Sequence, residues 1–199
     1  YEKSAKDTDP DLIDVEEVCP EFEEDKKTYG RYRFRNHGGI IMLNATTENE
    51  GASWFENVYI INNVVENVAR TGITVYSRWS DKAGVGYGFN KLVKGCRKND
   101  PEKSTGYYEH KNVVCSFNKV VCAGGDAIVV SSVKNCVIEN NVSEYANYLG
   151  RKNYWNAGIW VFNVNNCLFR FNEARNTYMR KGSEDAQGFD LDNCCRNVV

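Results

Sequence analysis

Residues 187–195 read QGFDLDNCC. Phe189 and Leu191 alternate with Asp190 and Asp192, so a β-strand here puts both carboxylates on one face and both apolar side chains on the other. Two carboxylates so placed can divide an acid–base task, because the charge of one raises the pKa of the other toward the value a general acid needs near neutral pH. Residues i and i+2 on a strand have Cα atoms about 6.6 Å apart. That spacing lets the carboxyls reach either the roughly 5–5.5 Å of retaining glycosidic hydrolysis or the roughly 6.5–9.5 Å of inverting hydrolysis. Asp126, just before a related strand, is a third candidate, and Glu184 and Asp185 are further ones. The same DLDN could instead make turn hydrogen bonds or hold a cation through oxygens.

The elements that must position these acids follow from a repeat. NVYIINN (57–63), NVVCSFN (112–118), NCVIENN (135–141) and NCLFRFN (166–172) share Asn at the first and seventh positions, and a fifth copy begins at Asn197. A second motif keeps phase with the first: GITVYS (72–77), AIVVSS (127–132), GIWVFN (158–163) and GFDLDN (188–193), with GIIMLN (39–44) as an earlier member. One uninterrupted unit, Asn112 to Asn135, spans 23 residues. Several short strands in that length leave no room for a helical crossover, so successive copies pair only by coiling about a common axis. Stacked copies then place Asn on Asn at each corner, where amides hydrogen-bond along the stack.

Strand alternation divides the second motif into two faces. With Ile73 and Val75, Ile128 and Val130, Ile159 and Val161, and Phe189 and Leu191 inside, the outward set is Thr74 and Tyr76, Val129 and Ser131, Trp160 and Phe162, and Asp190 and Asp192. Adjacent coils lie about 4.8 Å apart, so Trp160 and Phe162 stand one coil from the acids. An aromatic platform beside carboxylates suits a pyranose ring, CH groups on the π-face and hydroxyls on the oxygens. Tyr76, Arg78 and Trp79 extend the binding surface, and Arg78, Arg151 and Lys152 could pair with acidic groups on a substrate.

From about Gly39 to Val199 the chain resembles the right-handed parallel β-helix repeat proteins, the superfamily of pectate lyases and polygalacturonases. The resemblance implies an all-β solenoid that binds polysaccharide or oligosaccharide along its outer surface. With the acidic ladder it makes a glycoside hydrolase the leading expectation, Asp190 and Asp192 serving as acid and base or nucleophile. Two alternatives stand beside it. One is a lyase of the same fold, in which a cation such as Ca2+ neutralises a uronate. The other is a non-catalytic glycan-binding or surface solenoid. The polygalacturonase NTD and RIK motifs are absent, and NHGG (36–39) falls far from the acidic pair, so none of that family's catalytic residues carries over.

The domain reading is an acidic lead-in over 1–36 and a β-helix over 37–199 with a long insertion at 78–110, where Gly, aromatic and charged residues cluster. Insertions in repeat proteins gather on one face, often the binding face. RYRFRN (31–36) alternates as a strand entering the first coil would. The last motif stops partway, so an incomplete solenoid lacking its C-terminal coils is expected. A net charge of −2 gives no reason to expect nucleic acid, and no apolar run reaches the length of a membrane span. Neither histidine, His37 or His110, has metal-ligand spacing, and the eight cysteines lack paired zinc spacing, so no metal site is expected. Cys115, Cys136 and Cys167 occupy apolar repeat positions and read as small core residues. A sugar substrate points to export, whereas many unpaired cysteines would suit a reducing compartment.

Overall fold

The computed structural model describes residues 39–44, 53–77, 109–148, 156–179, 185–192 and 195–199. Among them the chain forms strands β1 (Ile40–Asn44), β2 (Glu56–Ile61), β3 (Val64–Val68), β4 (Ile73–Ser77), β5 (His110–Ser116), β6 (Lys119–Ala123), β7 (Ile128–Glu139), β8 (Val142–Glu144), β9 (Ile159–Arg170), β10 (Glu173–Arg175), β11 (Phe189–Leu191) and β12 (Arg196–Val198). Each strand pairs in parallel with the strand of the neighbouring coil. The result is a parallel β-helix with three walls. The first holds β1, β4, the front of β7, the front of β9, and β11. The second holds β2, β5, the backs of β7 and β9, and β12. The third is the separate sheet β3-β6-β8-β10.

Corners explain why asparagine repeats. Asn57, Asn112, Asn135, Asn166 and Asn197 all have left-handed backbone, with φ between 50° and 62°. An L residue resists this conformation, and Asn is among the few that adopt it routinely. Asn112, Asn135 and Asn166 each donate through Nδ2 to the Oδ1 of the Asn one coil before, at 3.0, 3.1 and 2.9 Å. The seventh-position asparagines form a second, inner ladder. There the Nδ2 of Asn63, Asn118 and Asn141 donates to the Oδ1 of Asn118, Asn141 and Asn172, each at 2.9 Å. The same oxygens accept the backbone N–H of Asn63, Asn118 and Asn141. Each inner amide therefore closes one turn of chain and joins it to the next.

Like stacks on like inside the solenoid. Ile73, Ile128 and Ile159 form one file and Val75, Val130 and Val161 another, all fully buried. Burying each such side chain contributes about 1.5–3 kcal/mol. Cys115, Cys136 and Cys167 lie in this core as free thiols, Cys136 in register with Cys167 and Cys115 with Ile138, each at an apolar position of its repeat. Cys122, in contrast, is disulfide-bonded. The small residue opening each second motif marks a close crossing. A Cβ on Gly158 would lie 2.5 Å from the Gly188 carbonyl oxygen, and one on Gly72 would lie 2.4 Å from the Val120 side chain.

His110, the last residue of the expected insertion, begins β5 and is fully buried. Its Nδ1 accepts the Phe55 N–H at 3.0 Å, so Nε2 carries the proton and donates to the Tyr76 carbonyl at 2.9 Å. The lead-in over 1–36, its strand at 31–36, His37 and the insertion up to 108 lie outside the described residues. Among the described residues no helix is long and apolar enough to cross a membrane.

Candidate active site

The outer face of the first wall carries the acids. Strand register sets Ile41 beside Thr74, Thr74 beside Val129, Val129 beside Trp160, and Trp160 beside Asp190. The phase of the repeat thus places Asp190 one coil above Trp160. Beyond β11 the Asp192 N–H donates to the Val161 carbonyl at 2.9 Å, which carries the ladder on to the second acid. Phe189 and Leu191 stand over Ile159 and Val161 at the last described coil and remain 44% and 54% exposed. The Phe189 ring meets the edge of Phe169, with centroids 5.9 Å apart.

The aromatic members of the outward set are not an open platform. Tyr76, Val129, Ala157, Trp160 and Phe162 pack into a separate, smaller apolar cluster outside the solenoid, and none is more than 8% exposed. Trp160 stacks on Phe162 with ring centroids 5.3 Å apart and planes inclined by 26°. Their apolar area is already matched by one another and by Val129, so these rings support the wall beneath the acids instead of presenting a bare face.

Asp126 belongs to that support. Its Oδ1 accepts the Trp160 indole N–H at 2.9 Å and the Ala157 N–H at 3.0 Å, and the residue is only 4% exposed. Burial raises its pKa, opposed by the Arg70 charge and by these hydrogen bonds. A carboxylate committed in this way latches one coil to the next and fixes the indole. It does not stand open beside Asp190 and Asp192 as the sequence had suggested.

Asp190 is half-buried, and its carboxyl is held above the usual range first by burial, then by the charges of Asp192 and Asp185. Asp185, which the sequence placed among the secondary candidates, is therefore the third member of the acidic group. Gln187 Nε2 donates to its Oδ1 at 3.3 Å. The Cys195 thiol lies near the same acids and is pushed up to about 12, burial being the main cause. Arg78, Trp79, Arg151, Lys152 and Glu184 lie outside the described residues. Among the described residues no group of three or more His, Cys, Asp or Glu side chains is arranged to hold a metal ion.

No protein-family model matches the chain. It is similar to a lacto-N-biosidase of Bifidobacterium longum subsp. longum, 29% identical over 178 residues that cover 82% of this chain and 11% of that protein. The chain thus spans about a tenth of its curated relative. In three dimensions it resembles the crystal structure of the GH136 lacto-N-biosidase from Eubacterium ramulus, with a TM-score of 0.51 and 21% identity over 73% of this chain and 24% of that one. That likeness is one of fold.

Proposed function

We propose that this β-helix segment carries the acid–base centre of a glycoside hydrolase acting on an oligosaccharide. The observation that carries the reading is Asp190: a half-buried carboxyl on the outer wall, raised in pKa, with Asp192 two residues on and Asp185 close by. Asp190 protonates the glycosidic oxygen of the leaving group, its pKa being displaced in the direction a general acid requires. Asp192, projecting from the same face, acts as base or nucleophile. Trp160, Phe162 and Tyr76 hold the wall that aims them, and Asp126 fixes the indole.

The two relatives are lacto-N-biosidases by name, which supports lacto-N-biose as the sugar released and an oligosaccharide as the partner. The same reading extends the resemblance to the pectate lyase and polygalacturonase superfamily. Carboxylate chemistry of this kind uses no cofactor. The disulfide at Cys122 accords with an exported protein. The test is turnover of a p-nitrophenyl glycoside of lacto-N-biose by the full chain. Asp190→Asn and Asp192→Asn are each expected to cut kcat by at least ~100-fold, the usual scale for lost acid or base assistance. Unchanged turnover in both variants would reject the centre, and a product with a new double bond would mark a lyase instead.

A further inference from the structure

We infer that Asn147 is a positioning residue for the acidic group, its side-chain amide setting where Asp185 stands relative to Asp190. This rests on the functional reading above for its consequence in catalysis, and on geometry alone for its structural part.

Asn147 follows β8 and is completely buried, with left-handed backbone at φ 60°. Its N–H donates to the Gly125 carbonyl at 2.7 Å, tying it to the coil before. Its Nδ2 donates to the Tyr178 carbonyl at 2.8 Å and the Asp185 carbonyl at 3.2 Å, in the coil after. Its Oδ1 accepts from Asn156 Nδ2 at 3.0 Å, which fixes which end of the amide faces the two carbonyls. The Tyr178 N–H returns a bond to the Ala146 carbonyl at 2.9 Å. One side chain therefore grips both Tyr178 and Asp185, which lie between β10 and β11.

The residue type fits the task. Two donors on one nitrogen and an acceptor beside it, on a short stem that tolerates left-handed backbone, are found together in asparagine. From Asp185 the chain reaches Asp190 in five residues, through Gly188 and the start of β11. Among the described residues the titratable groups that act on Asp190 are Asp192 and Asp185, with the neutral Cys195 thiol near them and Asp126 buried behind Trp160. If the Asp185 backbone is released, its carboxylate leaves this group. Asp190 loses one like charge, and its pKa must fall.

The experiment compares Asn147→Gly, which keeps the left-handed φ and deletes the amide, with Asp185→Asn, their double variant and Asn156→Ala. Two quantities are read: kcat and KM for the p-nitrophenyl glycoside, and the titration of the Asp190 carboxyl by 13C NMR. Asn147→Gly is expected to lower kcat roughly 10- to 100-fold with little change in KM, as a displaced catalytic group would. It should also move the Asp190 titration to lower pH as Asp185→Asn does, with no further movement in the double variant. Asn156→Ala moves both in the same sense by less, and decides the matter should Asn147→Gly not fold. The inference is overturned if Asp185→Asn shifts the Asp190 titration while Asn147→Gly and Asn156→Ala leave it in place. If instead the titrations shift together while Asp190→Asn retains full turnover, Asn147 keeps its positioning role and the hydrolase centre lies elsewhere.

Discussion

Replacing Asn141 by Ala should be among the most damaging substitutions in the chain. Asn141 is wholly buried in the inner ladder and is not one of the left-handed corner residues, so Ala adds no backbone strain. Its Oδ1 accepts the Asn118 N–H at 3.0 Å and Asn118 Nδ2 at 2.9 Å, while its Nδ2 donates to the Cys115 carbonyl at 2.8 Å and Asn172 Oδ1 at 2.9 Å. Truncation leaves the Asn118 N–H, in a residue 1% exposed, with no partner and no route to water. Such an orphan costs about 1–3 kcal/mol, and the three other bonds about 0.5–1.5 kcal/mol each. A loss of about 3–5 kcal/mol is expected, at the far end of the range for single substitutions. The outer ladder is the control. Asn112→Gly removes two amide bonds at an exposed position, where water replaces them, and Gly keeps the φ of 55°. Its loss should stay within about 1 kcal/mol. Urea unfolding followed by circular dichroism measures both, with an unchanged denaturant slope licensing the comparison. Equal losses in the two variants would refute the claim that burial, and not the amide ladder as such, sets the energetics.

Three further outcomes follow from buried titratable groups. His110 is neutral in the fold, and burial lowers its pKa; the unfolded value is near 6.5, so its stabilising contribution is complete above that pH and is lost as pH falls toward the folded value. The urea midpoint should therefore drop more between pH 7.5 and 5.5 in the native chain than in His110→Gln, and equal drops would contradict the bonding scheme. Asp126 has a raised pKa, so its ionised form weighs against folding above the unfolded value near 3.9. Asp126→Asn keeps an acceptor for Trp160 and Ala157 and should be at least as stable as the native chain at pH 7, whereas Asp126→Ala should lose about 1–3 kcal/mol. Thermal melts of the pair check this, and a marked loss in Asp126→Asn would show that the charge itself is needed. Cys115 is pushed up to about 12, chiefly by burial, and Cys136 and Cys167 share its core; maleimide labelling read by mass spectrometry should leave all three unmodified until urea unfolds the chain, and rapid native labelling of any would place it outside the core.

What the sequence made legible, and what it hid, turn on one contrast in the second motif. The spacing of Asn57, Asn112, Asn135 and Asn166 was enough to read the stacking, because a corner that must take left-handed backbone and pass a hydrogen bond upward accepts few residues. The phase of the two motifs likewise brought Trp160 to Asp190. The alternation of the second motif left Trp160 open to two readings, a ligand platform or packing under the insertion, although a signal for packing was there. AIVV (127–130) and GIWVF (158–162) are near-continuous apolar runs, the mark of a strand buried on both faces, whereas FDLD (189–192) alternates, the mark of a strand with one face wet. Read whole, each run favours packed aromatics over a platform. Two partners, the indole bound by Asp126 and the Asp185 carbonyl bound by Asn147, were out of reach for another reason. Trp160 is 34 residues from Asp126, and Asp185 is 38 from Asn147, beyond the 31-residue offset that separates aligned residues of β7 and β9. Their bonds depend on loops that differ from coil to coil and have no repeat to betray them. The change from GIWVF to FDLD therefore marks where the covered wall gives way to its acidic coil, and it is there, on residues that depart from the repeat, that chemistry can be sited without breaking the stack.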